Sequence, residues 1–222
     1  MTRPTVRIDF VSDVSCPWCA VGLNALEQAL ARLGDAVEVE LHFQPFELNP
    51  GMPPEGEDTD AHLARKYGSD AAQLAQSRAA LRERGAAVGF TFGERSRIYN
   101  TFDAHRLLHW AGEAGAAPQR ALKHALLRAY LTDNRNVGDH AELVAIAATA
   151  GLDAGQARQV LASGAFADAV RAQEAHYQSR GIRAVPSVIL NDRHLVQGGQ
   201  PPEQFERALR SVAAEASAGP DR

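Results

Sequence analysis

An α/β fold whose sheet is interrupted by a large all-helical block is what this sequence predicts, on three observations. A strand, a helix and a second strand follow one another at the start of the chain. The long middle reads almost entirely as helix. A helix, a strand hairpin and a final helix then close the chain, so that two halves of one sheet flank the helical block. The boundaries expected are 1–54 and 165–222 for a discontinuous α/β domain and 55–164 for a helical insertion domain.

The first strand is read over 5–11, where Val6, Ile8 and Phe10 alternate with Arg7 and Asp9. Val21, Leu23, Leu26, Ala29, Leu30 and Leu33 then recur at helical spacing, and Gly34 is a natural stop. Val37, Val39, Leu41 and Phe43 alternate with polar residues in a second strand. This order suits a right-handed βαβ unit with parallel strands. The turn formers from Asn49 to Glu57 mark a linker, after which helix is expected from Thr59 to about Ser163. Within it, Pro118 suits a first helical position, and Asp139 with Glu142 resembles a capping box. A helix over 166–180 leads to a hairpin, with strands 187–190 and 194–197 around Asn191-Asp192. The last helix carries Phe205, Leu209 and Val212 on one face, and 217–222 is expected to fray.

Composition narrows the function classes. Of 222 residues 45% are hydrophobic and 23% charged, proportions that support an ordinary packed core. A net charge of -4 gives no basic footprint, so nucleic acid is not an expected partner. Nothing approaches the roughly 18 consecutive apolar residues of a membrane span. The opening residues do not form a signal-peptide core either, so the expected address is cytoplasmic. Monomer and homodimer are both compatible with the sequence.

The chain has two cysteines, in the tetrapeptide Cys16-Pro17-Trp18-Cys19. A structural disulfide stabilises by closing a long loop, and this pair closes almost none. Close cysteines in a cytoplasmic protein point to redox chemistry or metal. A closed zinc site usually needs four ligands, and no second C-x-x-C exists. His105 and His109 lie four apart but lack the intervening glutamate of a zincin motif, so no metal is expected. At a helix start, unpaired amides and the helix dipole favour a thiolate. Pro17 fits the next position, where a missing N–H costs nothing. Cys16 is therefore expected to be the exposed nucleophile, and Cys19, one turn further in, the shielded resolving thiol.

Val185-Pro186, directly before an apolar strand, agrees with this reading. A proline there marks a constrained peptide bond, cis in some such loops. If the loop faces Cys16, the backbone of Val185 is placed to pair with an extended substrate chain.

With these motifs in place, the sequence resembles the DsbA-like thiol oxidoreductases, and within them the FrnE-type cytoplasmic branch. The resemblance runs from Val6 to about Val212. It is supported by the stretches Phe43 to Pro50, Asn100 to Arg106 and Gly198-Gly199-Gln200. It implies a thioredoxin-like fold split by a helical insertion, with Cys16 as nucleophile, Cys19 as resolving thiol and Pro186 as a cis-proline opposite them. Pro17, Trp18 and Val185 complete the motif and substrate groove, and Phe46, Asn100 and His105 are its groove-lining candidates. Helix–core packing is an equally good reading of His105. No cofactor is implied beyond the redox-active disulfide, with glutathione as a candidate co-substrate.

Dithiol/disulfide exchange with protein thiols and disulfides, or with glutathione, is the function expected first. A second reading comes from kappa-class glutathione transferases and 2-hydroxychromene-2-carboxylate isomerases, which the split scaffold also resembles. Those enzymes usually carry serine at the position of Cys16. A third is a non-catalytic groove for unfolded peptides.

Overall fold

The structure, a computed structural model, describes residues 3–218. β1 (Thr5–Ser12) runs into α1 (Pro17–Leu33), and β2 (Glu38–Pro45) returns parallel to β1 with Ile8 opposite Leu41. At the other end of the chain lie α8 (Ala167–Ser179), β5 (Ser187–Leu190), β6 (His194–Gln197) and α9 (Pro202–Ala218). Together they complete a four-stranded sheet of order β2-β1-β5-β6, in which β5 pairs antiparallel with both β1 and β6. Central β1 and β5 are buried along most of their length, whereas β6 alternates, as an edge strand does.

Between β2 and α8 come α2 (Thr59–Tyr67), α3 (Ala71–Ala87), α4 (Phe102–Glu113), α5 (Ala116–Leu131), α6 (His140–Thr149) and α7 (Ala154–Ser163). The helical expectation fails over 88–101. Gly89, at φ +77°, ends the helical turns, and the chain runs irregularly until β4 (Arg97–Ile98) pairs antiparallel with β3 (Glu57–Asp58). Pro118 is the third residue of α5, not the first, because Gly115 at φ +127° breaks the chain just upstream. Asp139 does cap α6, accepting from the Glu142 N–H at 2.9 Å. The Glu142 carboxylate bonds Arg135 instead of closing a box. The reciprocal box lies at α3, between Asp70 and Gln73. Of the tail expected to fray, Ser217 and Ala218 belong to α9; 219–222 lie outside the described residues. Among those residues no helix is long and apolar enough to cross a membrane.

One apolar core joins the two parts of the chain. Phe10 and Leu26 on the sheet side share it with Leu107 and Leu126 on the helical side. Gln119 of α5 reinforces the join, donating to the carbonyls of Phe43 and Leu108 and accepting from the Phe43 N–H at 3.1 Å.

Candidate active site

The site forms where β1 ends and α1 begins. Buried Asp13 organises this turn. Its carboxylate accepts from the Ser15 N–H at 3.0 Å, the Ser15 hydroxyl at 2.9 Å and the Leu48 N–H at 2.7 Å. Burial alone would raise its pKa. The nearby His105 and the Leu48 and Ser15 amides outweigh that and hold it at about 2. His105 Nε2 stands 3.6 Å from the carboxylate, too far for a hydrogen bond.

Cys16 is the N-cap of α1, with φ -88° and ψ 111°, and Pro17 opens the helix. No side chain caps this end; Pro17 has no N–H to satisfy, and the Cys19 N–H donates to the Cys16 carbonyl at 3.0 Å. Cys16 and Cys19 are both free thiols. The expectation of an exposed Cys16 needs correction: only 4% of it is accessible, against 0% for Cys19. The cause is the Val185-Pro186 loop, whose peptide bond is cis and whose Val185 carbonyl accepts from the Cys16 thiol at 3.5 Å. Trp18, 39% exposed, is the part of the motif that meets solvent.

The thiols remain unequal. Burial, then the hydrogen bond and charge of Cys16, push the Cys19 thiol well above its ordinary range. Beneath them lies Lys123 of α5, wholly buried, with no hydrogen-bond partner for its ammonium group. Burial lowers its pKa, opposed by the charges of Cys19, Asp13 and Cys16. Its Nζ lies 6.0 Å from the centre of the Phe43 ring.

The helical segment also grips the turn from outside. Arg95 donates to the Ser15 carbonyl at 2.9 Å and lies 5.4 Å above the Tyr130 ring. Arg84 reaches the Gly199 carbonyl at 2.9 Å. Alongside runs a cavity of about 550 Å³, with Pro17, Leu63, Leu81, Phe92 and Arg95 among its walls.

The remaining predicted site residues separate. Phe46 is buried in a small cluster with Val11, Tyr177, Ile182 and Ile189, against which Val185 packs, and it edges a surface depression lined by Gln178 and Arg183. Asn100 accepts from the Phe102 N–H at 2.9 Å, holding the start of α4, and its own amide donates to the Pro50 carbonyl at 3.5 Å. His105 is buried beside Asp13, beneath the turn.

Asp13, Lys123 and Arg95 escaped sequence reasoning. Lys123 did leave a signal. It is one of two lysines in the chain, and it sits among the apolar positions Leu122, Leu126 and Leu127 of an otherwise regular helix. Asp13 left none, since a polar residue in a strand-to-helix turn is ordinary.

Comparison with known proteins identifies the family and the fold. The family model described as DSBA-like thioredoxin domain matches residues 7–210. An uncharacterised Bacillus subtilis protein, YwbO, is 28% identical over 92% of this chain and 96% of its own. A probable DsbA oxidoreductase of Streptomyces coelicolor superposes with a TM-score of 0.86 at 37% identity, covering 98% of this chain and 92% of that one. The cytosolic disulfide reductase DsbM of Pseudomonas aeruginosa, solved with GSH, shares the fold at a TM-score of 0.61 and 18% identity, over 92% and 98% of the two chains. A 2-hydroxychromene-2-carboxylate isomerase does so at 0.68 and 15%, over 97% and 100%. A thiol pair at the first strand-to-helix turn, faced by a proline loop, thus sits in a chain that belongs to the DsbA-like thioredoxin family.

Proposed function

We propose that this protein is a cytoplasmic thiol–disulfide oxidoreductase of the FrnE-type branch, acting through Cys16 and Cys19 on protein or small-thiol disulfides. The observation that carries this reading is the stacking of the two thiols at the α1 start, Cys16 against the Val185 carbonyl and Cys19 sealed behind it. In the reducing direction the Cys16 thiolate attacks a substrate disulfide, forms a mixed disulfide and expels one substrate thiolate. Cys19 then attacks the Cys16 sulfur, the bond to the second substrate sulfur breaks, and two electrons have passed to the substrate. The reverse sequence oxidises a substrate dithiol. In either direction substrate backbone would replace the Cys16 thiol as partner of the Val185 carbonyl. The segment 55–164 is proposed to act as an inserted domain that walls the groove.

Trapping tests this. Cys19→Ser should accumulate mixed disulfides on Cys16, identifiable by non-reducing electrophoresis and mass spectrometry, whereas Cys16→Ser should trap nothing and lose exchange. Exchange retained in Cys16→Ser would refute the mechanism.

The cavity beside Pro17 favours a second reading, glutathione-dependent isomerisation or transfer, because it offers room for a small molecule near the Cys16 turn. Turnover of such a substrate with glutathione that survives Cys19→Ser would select this reading over exchange.

A further inference from the structure

We propose that Arg171 is a positioning residue of this site. Through Glu47 it clamps the helix that leads to the Val185 loop onto the segment that holds the Cys16 turn, and so keeps Cys16 covered until substrate backbone takes over the Val185 carbonyl. This rests on the exchange reading above.

Two arms of the chain meet over Cys16. One is the Phe46-Glu47-Leu48 segment that follows β2. Its Leu48 N–H donates to the Asp13 carboxylate at 2.7 Å, and the Asp13 carbonyl accepts from the Cys16 N–H at 3.2 Å. The place of Leu48 therefore bears on the Cys16 backbone through a single residue. The other arm is α8, which runs by way of Ile182 into Val185 and Pro186. Phe46 lies in the cluster that contains Tyr177 of α8 and Ile182, with Leu48 and Val185 packed against it. Apolar burial is non-directional, so this packing holds the arms together without fixing how they slide past each other.

A directional contact supplies what the packing lacks. Arg171 of α8 donates to the Glu47 carboxylate, a side chain only 2% exposed. The same nitrogen donates to Glu174 at 2.8 Å, but Glu174 lies three residues further along the same helix, so that bond joins no arms. The guanidinium carbon stands 3.8 Å from the centre of the Phe102 ring, which gives it a seat at the start of α4. The other Glu47 oxygen is buried with no partner among the described residues. Arg171 is thus the group that fixes this carboxylate, and a buried carboxylate deprived of its cation is costly enough to move.

The gap that the clamp sets is the 3.5 Å between the Cys16 sulfur and the Val185 carbonyl. With the clamp closed, that carbonyl stands ready for a substrate N–H, and Cys16 is shielded from small reagents. With it open, Cys16 is uncovered and the substrate loses a preplaced acceptor. Reactivity toward a small reagent and apparent affinity for a peptide then move in opposite senses. General loosening of the fold would instead uncover Cys19 as well.

Alkylation by iodoacetamide reads the cover directly. In a Cys19→Ser background, Arg171→Met should raise the rate constant at Cys16 about tenfold, as expected for losing one hydrogen bond between charged groups. Glu47→Gln keeps the shape and loses the charge; it should act in the same direction, and it carries the test should Arg171→Met not fold. Glu174→Gln, which alters only the bond within α8, should not raise the rate. In a Cys16→Ser background none of these substitutions should speed alkylation of Cys19. With both thiols present, Arg171→Met or Glu47→Gln should raise KM for a peptide disulfide several-fold and change kcat less. A native Cys16 rate in Arg171→Met or in Glu47→Gln overturns the proposal. So does an equal rise at Cys16 and Cys19, or a rise in Glu174→Gln that matches Glu47→Gln. A native protein that exchanges with no peptide disulfide refutes the exchange reading instead, and the alkylation rates still decide the clamp.

Discussion

Asp13 carries more of the site's architecture than any cysteine does. It is fully buried, yet its pKa is held at about 2, below the ordinary 3.8, so the folded protein binds its ionised form. A depressed carboxylate contributes stability above its unfolded pKa and loses it as pH falls through the folded value. The interval corresponds to about 2 kcal/mol at neutral pH. Asp13→Asn should therefore cost on that order at pH 7 in urea unfolding. The gap between variant and native protein should narrow between about pH 4 and pH 2, where the native carboxyl becomes protonated. A gap that stays constant with pH would show that shape, not charge, makes Asp13 necessary. Ser15 and Leu48 are the residues through which its loss would be felt, since their amides lose an ionised acceptor.

At the scale of elements, α1 must lie unusually close to the two loops that face it. A β-carbon on Gly22 would stand 3.0 Å from the Pro186 ring and 3.5 Å from the Gly199 backbone. On Gly199 it would stand 3.2 Å from the Trp18 ring. These glycines let the helix, the proline loop and the end of the hairpin meet around the thiols. For Gly22→Ala two effects compete. Alanine gains about 1 kcal/mol of helix propensity, whereas overpacking against a rigid ring costs about 1–3 kcal/mol. The second should win, lowering Tm by a few degrees and changing Trp18 fluorescence. A raised Tm would mean that the Pro186 loop yields freely. The same closeness explains the Phe43 to Pro50 stretch: Phe43 packs edge-on against Phe10 with ring centres 5.9 Å apart, Gln44 bonds Asp9, and Leu48 reaches Asp13. The Asn100 to Arg106 stretch serves α4 and α7. Arg106 donates to the carbonyls of Val160, Leu161 and Ala165, which fastens those two helices together.

For the whole molecule, the shared core means that sheet and helical segment should unfold together. The two tryptophans are suited to the test, Trp18 in α1 and Trp110 in α4. Single-tryptophan variants Trp18→Phe and Trp110→Phe should give coincident fluorescence transitions that also match far-UV circular dichroism. Separated transitions would show that the helical segment folds as an independent unit. Leu126→Ala, in a wholly buried α5 position of that common core, should cost about 2–5 kcal/mol and shift both reporters equally.

The sequence by itself determined the βαβ start, the closing hairpin and the paired thiols at a helix start, because strand alternation, helical spacing and C-x-x-C are local patterns. The irregular run over 88–101 escaped it, since its one pairing joins Glu57 to Ile98 across a long stretch of chain. Only the tertiary structure decided that Cys16 is covered by the Val185 loop, that Asp13 holds the Leu48 amide and that Lys123 is buried beneath the thiols. Each of those facts depends on residues far apart in sequence being brought together by a common core. Burial and charge then act on them through space, where no periodicity or spacing along the chain records the contact.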